Sequence, residues 1–421
     1  MENERTTDRQ ERIEGFSQSV LQNAKIFQGG VGATGNETIH NSALVGIGYI
    51  LVSDMDDIET SNISRTVLFT KADIGQQKAR LGADRAQAMN IRDGKCDAIS
   101  GDVCHVLGEG VIRRMDVVEG CFDNEQTRIF LQDICMKLGK PYIDTGIGSL
   151  DGNVFTSSGK TECACLMCTM SQEDENHALS RVRNSCDVTR KKAANAGKIP
   201  TIVTSASMVG AKATEEAIRV LHHLKEPDGA FTRCYPPEYG VLHLYTAWNS
   251  KLMHHTYSVR EDCKHHDSYE AHGGVLETPL SAHMTLREVL QWVQSNHRHA
   301  YGLSIAKDCM CADRGFITSA YCEHCGKPID IYRPQPVDDT DMLCDDCKKS
   351  GAQPDSLSGA SLKLNFSLND EERILGMTLL ELGIPLAHIL EFYPLDDDDA
   401  DSLYLELTAD IKEVMPNLPN W

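Results

Sequence analysis

Four cysteines in the last quarter of the chain have the spacing of a zinc site. They form two C-x-x-C pairs, Cys322 with Cys325 and Cys344 with Cys347. Thiolates in two such pairs, here 18 residues apart, bind zinc tetrahedrally in zinc ribbons. Two redox dithiols are the alternative, but they need a thioredoxin-like context that this sequence lacks. We therefore predict a zinc ribbon over about 309–347, in which Cys309 and Cys311 are either substitute ligands or ordinary thiols.

A further cysteine, Cys186, lies in a polar and basic stretch of the chain. The cations near it in the sequence are Arg181, Arg183, Arg190, Lys191 and Lys192. Positive charge lowers the pKa of a thiol and raises its fraction of thiolate, which is the nucleophilic form. Cys186 is therefore a candidate nucleophile, and a free cysteine on a surface loop is the alternative interpretation.

A glycine-rich turn near the N-terminus has the spacing of a phosphate-binding loop. Gly30, Gly32 and Gly35 fit the pattern G-x-G-x-x-G between a strand-like run and a helix-like run. The missing side chains let phosphate groups approach the backbone amides and the positive end of the helix. Asp54 follows about 20 residues later, where a carboxylate can bind ribose hydroxyls. An NAD-dependent dehydrogenase fits these residues as well as an ATP-binding enzyme does.

These residues must be positioned by strands and helices that alternate over the first two thirds of the chain. Apolar runs and helical periodicity predict strands at 24–28, 49–53, 117–122, 141–144 and 241–245 and helices at 36–46, 78–89, 127–138 and 205–224. This order is typical of a doubly wound α/β fold with a Rossmann-like, mainly parallel sheet. We expect that fold to fill a first domain, 1–280, and a smaller α+β domain with the zinc ribbon to fill 281–421.

Residues 53–78 carry three further motifs in order, D-x-D, S-N-x-x-R and G-x-x-K. Their defining residues are Asp54 with Asp56, Ser61 and Asn62 with Arg65, and Gly75 with Lys78. The series resembles the ubiquitin-activating-enzyme-like (ThiF/MoeB/HesA) adenylating family, and the resemblance extends over about residues 9–270. It implies adenylation by ATP, with both carboxylates of the first motif in the nucleotide site. Asn62, Arg65 and Lys78 would supply the donors that surround the phosphates as negative charge builds up.

The resemblance also implies roles for residues outside that segment. Asp123, in an Asp-Asn pair after a strand, would help to hold Mg²⁺, although a plain turn is the alternative for such a pair. Arg9, in the helix-like run 9–16, would reach into the ATP site of a partner subunit, which implies a homodimer. The arginine that usually accompanies it is replaced by Thr6, so an ordinary surface residue is the alternative for Arg9.

Four more residues occupy the places of that family's structural zinc site. They are Cys165, Cys168, Cys263 and His266. Histidine in place of the family's fourth cysteine is sound zinc chemistry, because sites with three cysteines and one histidine are common. The departure leaves His265 or Cys163 as substitute ligands, and unligated thiols in a reducing cytosol are the alternative.

For Cys186 the resemblance implies a thioester. In this family a cysteine of the crossover loop, here about 171–198, receives the activated carboxyl group of a ubiquitin-like modifier, which then passes to a conjugating enzyme. Residues 282–293 and 360–412 resemble the ubiquitin-fold tail of activating enzymes, which would recruit the conjugating enzyme or the modifier. A bacterial conjugation system that serves antiviral defence is one setting that the resemblance implies for the chain. Activation of a sulfur carrier, with a thiocarboxylate as its product, and a non-catalytic scaffold are the alternative functions.

Composition limits the partners of the chain. Its 421 residues carry a formal net charge of −21, which repels nucleic acid and anionic lipid. No run approaches the roughly 18 apolar residues that span a bilayer, and the charged N-terminal segment is unlike a secretory signal. We therefore expect a cytoplasmic protein that binds a modifier, a conjugating enzyme and a second copy of itself. The expected cofactors are ATP, Mg²⁺ and Zn²⁺ at two structural sites.

Overall fold

The computed structural model describes most of the chain. The described residues are 5–175, 200–246, 249–297, 308–322, 324–335, 343–351, 360–394 and 402–419. Cys186 and most of the predicted crossover loop lie outside these ranges. Among the described residues, no helix has the length and apolar character that crossing a membrane requires.

Strands and helices alternate in the first part of the chain, as the sequence predicts. The strands are β1 (Lys25–Gly29), β2 (Tyr49–Asp54), β3 (Lys95–Ser100), β4 (Val117–Gly120), β5 (Tyr142–Ile147), β6 (Asp151–Ser157), β7 (Val241–Thr246), β8 (Lys251–Thr256), β9 (Val275–Thr278), β10 (Asp308–Tyr321), β11 (Pro328–Pro334), β12 (Ser361–Phe366), β13 (Ile389–Pro394) and β14 (Leu403–Leu407). The helices are α1 (Gln18–Gln22), α2 (Ala33–Val45), α3 (Lys78–Met89), α4 (Val103–Val106), α5 (Glu109–Arg113), α6 (Glu125–Lys137), α7 (Val203–Lys225), α8 (Ala230–Cys234), α9 (Leu286–His297), α10 (Asp345–Lys349), α11 (Glu372–Leu375) and α12 (Ile411–Val414).

The first sheet has eight strands in the order β3-β2-β1-β4-β5-β6-β7-β8. Neighbouring strands from β3 to β5 are parallel, and those from β5 to β8 are antiparallel. After β3 the chain returns to the other side of β1, so the switch point of the sheet lies between β1 and β4. Ligands of such sheets bind at the carboxyl ends of the strands at this point. The mainly parallel, Rossmann-like sheet predicted from the sequence is confirmed.

Helices cover both faces of this sheet. On one face α2, α3 and α7 contribute buried residues such as Ile39, Ala83 and Val209. On the other face α5 and α6 contribute Val111 and Leu131. Every residue of β2 is buried, as expected for a strand between two helical layers.

In the first sheet, the sequence analysis does not predict β3, β6 and β8. All six residues of β8 are exposed, so this edge strand lacks the alternation of buried and exposed residues that marks a strand in sequence. Helix α2 begins at Ala33, three residues before its predicted start, because Gly32 is its N-cap. Gly35 therefore lies in the first turn of the helix.

The second sheet lies mainly in the C-terminal part of the chain. Its strand order is β11-β10-β13-β14-β9, and β12 also pairs with β10. The pair β14–β9 is parallel, and the other pairs are antiparallel. Helix α9 packs on it through the buried side chains of Leu286, Leu290 and Val293. This unit has α+β architecture, and its strand β9 precedes the domain boundary that we predict at residue 280.

The C-terminal unit packs on helices α5 and α6, which cover one face of the first sheet. Ala387 and Met415 belong to the same buried cluster as α5 and α6 of the first sheet. The buried carboxylate of Glu406, on β14, forms ion pairs with Arg113 and Arg114 at the end of α5. A Cβ atom at Gly110 would lie 2.4 Å from the Glu406 carboxylate, so only glycine fits where the helix and the strand approach. The junction between the two sheets is therefore a close, charged and largely buried contact.

We expect Glu406→Ala to destabilise the protein by about 3–5 kcal/mol, because it removes one partner of a buried ion pair. Glu277 belongs to the same network, but its side chain is 57% exposed, and Glu277→Ala should cost only about 0–1 kcal/mol. Urea unfolding followed by circular dichroism measures both changes. Equal effects of the two substitutions would contradict a buried network at this junction.

Candidate functional site

The glycine turn connects β1 to α2 at the switch point of the sheet. Gly30 has φ +82°, and a Cβ atom there would lie 2.5 Å from the carbonyl oxygen of Cys121. A Cβ atom at Gly35 would lie 1.9 Å from the carbonyl oxygen of Gly30. At Gly32, by contrast, a Cβ atom would meet nothing within 4 Å. Two glycines are thus needed for packing, and the third leaves open space at the start of a 13-residue helix, where a phosphate could reach backbone amides.

Asp54, at the end of β2, closes this turn from the neighbouring strand. Its Oδ2 atom accepts a 2.6 Å hydrogen bond from the backbone N–H of Val31, and its Oδ1 atom accepts a 2.8 Å bond from that of Asp56. Burial raises the pKa of Asp54, while Lys78 and the two N–H groups act in the opposite direction. Asp54 therefore fixes the turn, and its predicted contact with ribose stays a prediction.

Lys78 is the first residue of α3 and lies beside the same loop. Its Nζ atom is 3.0 Å from Oδ2 of Asp56, and its backbone N–H donates to the Asp56 carbonyl oxygen at 3.0 Å. The Lys78 side chain is only 9% exposed, whereas that of Asp56 is 58% exposed. The structure thus brings the first and third of the predicted motifs together and holds a buried ammonium group at this edge.

Asn62 and Arg65 belong to one compact turn between β2 and α3. Asn62 is buried, and its Oδ1 atom accepts a 2.8 Å hydrogen bond from the backbone N–H of Glu59. The guanidinium group of Arg65 donates to the carbonyl oxygen of Ser61. Asn62 therefore has a local structural role in addition to the phosphate contact that we predict for it.

Asn36 is a residue of this site that the sequence analysis missed. Its Nδ2 atom donates to the carbonyl oxygens of Val31 and Gly32, at 2.8 and 3.0 Å. Its Oδ1 atom accepts a 3.0 Å hydrogen bond from the backbone N–H of Leu68. Asn36 thereby joins the glycine turn to the segment that carries Arg65. A buried amide in the first turn of the helix is the signal that could have identified it.

Asp123 lies just beyond β4, on the other side of the turn. The backbone N–H of Cys121 donates to the carbonyl oxygen of Gly29 at 2.8 Å, which fixes the end of β4 against β1. Asn124 caps α6 by accepting a 2.8 Å hydrogen bond from the backbone N–H of Thr127. Asp123 is exposed at the carboxyl edge of the sheet, so its carboxylate is accessible to a hard cation such as Mg²⁺.

Arg9 is exposed and directly precedes the turn Gln10–Arg12. Its predicted reach into a partner's site needs a second copy of the chain and stays a prediction. Within one chain, the edge offers open backbone amides at Gly32, cations at Arg65 and Lys78 and a carboxylate at Asp123. The amides and cations suit the phosphates of a nucleoside triphosphate, and the carboxylate suits its metal ion.

The structure brings together the first predicted set of zinc ligands. The ligand atoms of Cys165, Cys168, Cys263 and His266 all lie within 4.8 Å of one another. The Sγ atom of Cys165 is 3.7 Å from those of Cys168 and Cys263, and tetrahedral zinc separates two sulfurs by about 3.8 Å. The Nδ1 atom of His266 is 2.8 Å from the carbonyl oxygen of Thr161, which leaves Nε2, 3.2 Å from the Sγ atom of Cys168, as the ligand.

His265, the neighbouring residue, faces carboxylates instead of the cysteines. Its Nδ1 atom contacts the carboxylate of Asp133, and its Nε2 atom is 3.1 Å from Oε1 of Glu175. Burial opposes protonation of this ring, but the two hydrogen bonds raise the pKa of His265 above its ordinary value. A ring that donates from both nitrogen atoms has no lone pair for a metal. Cys163 also lies outside the cluster of four, and its Sγ atom is 3.6 Å from the Ala164 carbonyl oxygen.

The second predicted set also comes together. The Sγ atoms of Cys322, Cys325, Cys344 and Cys347 all lie within 4.8 Å of one another. Cys325 lies in a tight turn after β10, in which the backbone N–H of Gly326 donates to the Cys322 carbonyl oxygen at 2.7 Å. A hydrogen bond from the backbone N–H of Cys344 lowers the pKa of Cys322 to about 6, which favours the thiolate. Cys309 and Cys311 are part of β10, and Cys311 does not belong to this group of four.

Sequence comparison finds relatives of two kinds. The chain is 31% identical over 188 residues to ubiquitin-activating enzyme E1 2 of Triticum aestivum, covering 40% of this chain and 18% of that protein. It is 31% identical over 137 residues to a sulfur carrier protein adenylyltransferase of Thermus thermophilus, covering 32% of this chain and 50% of that protein. The chain thus spans half or less of the length of these relatives.

Among solved structures, MccB of E. coli with ATP matches with a TM-score of 0.46 and 19% identity, covering 59% of this chain and 68% of that chain. The model of the ThiF family matches residues 7–263, which include the glycine turn, the donor segment and three of the four residues of the first cysteine-rich cluster, Cys165, Cys168 and Cys263. Because this match covers more than half of the chain, the protein belongs to the ThiF family.

Proposed function

We propose that the protein uses ATP to adenylate the C-terminal glycine carboxylate of a ubiquitin-like protein. The observation that carries this proposal is the arrangement of Gly32, Lys78 and Asp123 at the switch point of the sheet, with Arg65 linked to the same turn through Asn36. A dehydrogenase would need the glycine turn and Asp54 but not the three motifs that follow them. Kinship with ubiquitin-activating enzymes and sulfur carrier adenylyltransferases also supports adenylation.

In the proposed reaction a carboxylate oxygen of the modifier attacks the α-phosphorus of ATP, and the bond to the β-phosphate breaks. Pyrophosphate leaves, and an acyl adenylate forms. The side chains of Asn62, Arg65 and Lys78 donate to the phosphates and stabilise the developing negative charge. Asp123 would hold Mg²⁺, which neutralises phosphate charge when it is bound. Asp54, with Asp56, would contact the nucleoside and keep the turn in place.

The second proposed step is transfer to Cys186. Its thiolate attacks the acyl carbon, AMP leaves, and a thioester links the modifier to the protein. A conjugating enzyme would then accept the acyl group. The protein would act in the cytoplasm as a homodimer, with Arg9 completing the partner's site, in a conjugation system such as those of bacterial antiviral defence. Similarity to ubiquitin-activating enzymes supports this version of the function.

A second candidate function is activation of a sulfur carrier protein. The relative in Thermus thermophilus favours it, because that protein is a sulfur carrier protein adenylyltransferase. In that case sulfide from a sulfur donor attacks the acyl carbon and AMP leaves, which gives a thiocarboxylate, and Cys186 forms no lasting thioester. A non-catalytic scaffold is disfavoured, because the chain retains Arg65, Lys78 and Asp123.

We expect Asp123→Ala to lower ATP–pyrophosphate exchange by about 100-fold or more, because the site loses a ligand for the metal that neutralises the phosphates. The assay uses the full chain, ATP and the cognate ubiquitin-like modifier. Glu125→Ala is a matched control, since Glu125 is also exposed and lies two residues further on. The exchange rate of this variant should stay within about twofold of the wild-type rate, which corresponds to a change of well under 1 kcal/mol in the activation free energy. Full exchange by the Asp123→Ala protein would refute the metal assignment.

Cys186→Ala should abolish a reductant-sensitive adduct between the protein and the modifier while exchange continues, because the thiol acts only after adenylation. Gel electrophoresis with and without reductant measures the adduct. An adduct that persists in the variant would exclude the thioester on Cys186. If the wild type forms no adduct but the modifier gains a sulfur in place of a terminal oxygen by mass spectrometry, the sulfur carrier function is correct.

Both cysteine-rich clusters are proposed to bind structural Zn²⁺, and the two neighbouring histidines provide a test. His266→Ala should lower the zinc content by about one equivalent, because it removes one of four ligands, whereas His266→Cys should retain it. His265→Ala should also retain it, since that ring pairs with carboxylates. Metal analysis by mass spectrometry gives the counts. Loss of zinc from the His265→Ala protein alone would reverse the assignment.

A further inference from the structure

A third group of metal-ligating side chains shares no residue with the two cysteine clusters or with the nucleotide edge. Glu216 on α7, His243 on β7 and Glu238 between them place their ligand atoms within 4.8 Å of one another. Strand β7 pairs with β6, and α7 packs across β5 and β6, so the fold brings the three residues together from separate elements.

His243 is the unusual member of this group, which we call the α7–β7 cluster. Its side chain is 1% exposed, and its Nδ1 atom is 2.8 Å from Nδ1 of His254 on β8. Its Nε2 atom is buried and forms no hydrogen bond, yet it lies 3.2 Å from Oε2 of Glu238. Burial lowers the pKa of His243 to about 4. A metal ion bound to both atoms would satisfy this buried nitrogen and the carboxylate that faces it.

The two carboxylates are held in place by neighbouring cations. Lys212 lies 2.7 Å from Oε1 of Glu216, whose side chain is fully buried. The second oxygen, Oε2, accepts only a long bond of 3.4 Å from the backbone N–H of Glu238. Arg219 lies 3.3 Å from Oε2 of Glu238. A metal-binding carboxylate is commonly oriented by a hydrogen bond to its other oxygen, as Lys212 orients Glu216. Arg219, in contrast, contacts Oε2 of Glu238, the oxygen that also faces His243.

The local charge also leaves room for a further cation. Glu215 shares this network through Arg219 and Lys212. Three carboxylates thus face two basic side chains, Lys212 and Arg219. The side chain of Glu238 is 41% exposed, so an ion can reach the cluster from solvent.

We propose that Glu216, Glu238 and His243 bind one Zn²⁺ ion that fastens β7 to α7. Zinc bonds to nitrogen and oxygen of about 2.0–2.2 Å place two tetrahedral ligands roughly 3.3–3.5 Å apart, close to the 3.2 Å between Nε2 of His243 and Oε2 of Glu238. With the metal on Nε2, the Nδ1–H group of His243 donates to His254, which fixes the tautomer. A water molecule would take the fourth position. This site does not depend on the proposed adenylation.

The test compares zinc content among tag-free, full-length variants after equilibration with Zn²⁺ and removal of the excess. Glu238→Gln should bind one equivalent fewer than wild type, and it should fold because the side chain is half exposed. Glu215→Gln is the matched control, since it removes one carboxylate of the same network that is not a proposed ligand. It should bind as much zinc as wild type. Equal zinc in the Glu238→Gln and wild-type proteins would overturn the proposal, as would equal losses from both variants.

Replacement of Zn²⁺ by Co²⁺ distinguishes this site from the cysteine clusters. Cobalt bound to thiolates gives strong charge-transfer absorption, whereas cobalt bound to nitrogen and oxygen does not. The Glu238→Gln protein should therefore bind one Co²⁺ ion fewer than wild type and show the same thiolate absorption. A decrease in that absorption would assign the lost ion to a cysteine cluster and overturn the proposal. Because the measured quantity is a difference between variants, the result is independent of whether the protein adenylates a modifier.

Discussion

The carboxylate of Asp54 is the interaction on which the nucleotide edge of the sheet depends. It joins the glycine turn after β1 to the loop after β2 through two backbone N–H groups. The turn itself must fit against β4, where Gly30 leaves room for the carbonyl oxygen of Cys121. Asn36 extends the connection to the segment of Arg65. The charged groups of the site thus come from separate loops, and these hydrogen bonds set where each loop lies.

The C-terminal unit is the second part of this arrangement. It contacts the end of α5 through the buried carboxylate of Glu406 and the backbone near Ala387, and Gly110 has no room for a side chain there. Removing a single charge from such a contact leaves others buried without a partner, which is costly. The orientation of the second sheet on the first is therefore specific. A partner that binds the C-terminal unit would be held at a defined position relative to the nucleotide edge.

Local sequence patterns predicted the parts of the site that local geometry controls. The glycine turn, the start of α3 at Lys78 and the C-x-x-C pairs all depend on residues close together in the chain. Strand β8 was not predicted, because an exposed edge strand shows no alternation. The roles of Asp54 and Asn36 in holding the turn were missed for another reason. Their hydrogen-bond partners lie in other loops, and a hydrogen bond between two loops produces no regular spacing of residues in the sequence.

The three candidate metal sites differ in how far the sequence alone identifies their ligands. In the cluster of Cys322, both pairs have motif spacing, and the sequence alone indicates the site. In the cluster of Cys165, the last ligand is one of two adjacent histidines, and only the surroundings separate them: His266 faces sulfur, whereas His265 faces carboxylates. In the α7–β7 cluster, no two ligands form a motif, and the pairing of β7 with β6 and the packing of α7 bring them together. Motif spacing therefore identifies a metal site only to the extent that its ligands share a loop, and ligands from separate elements become visible only in the folded chain.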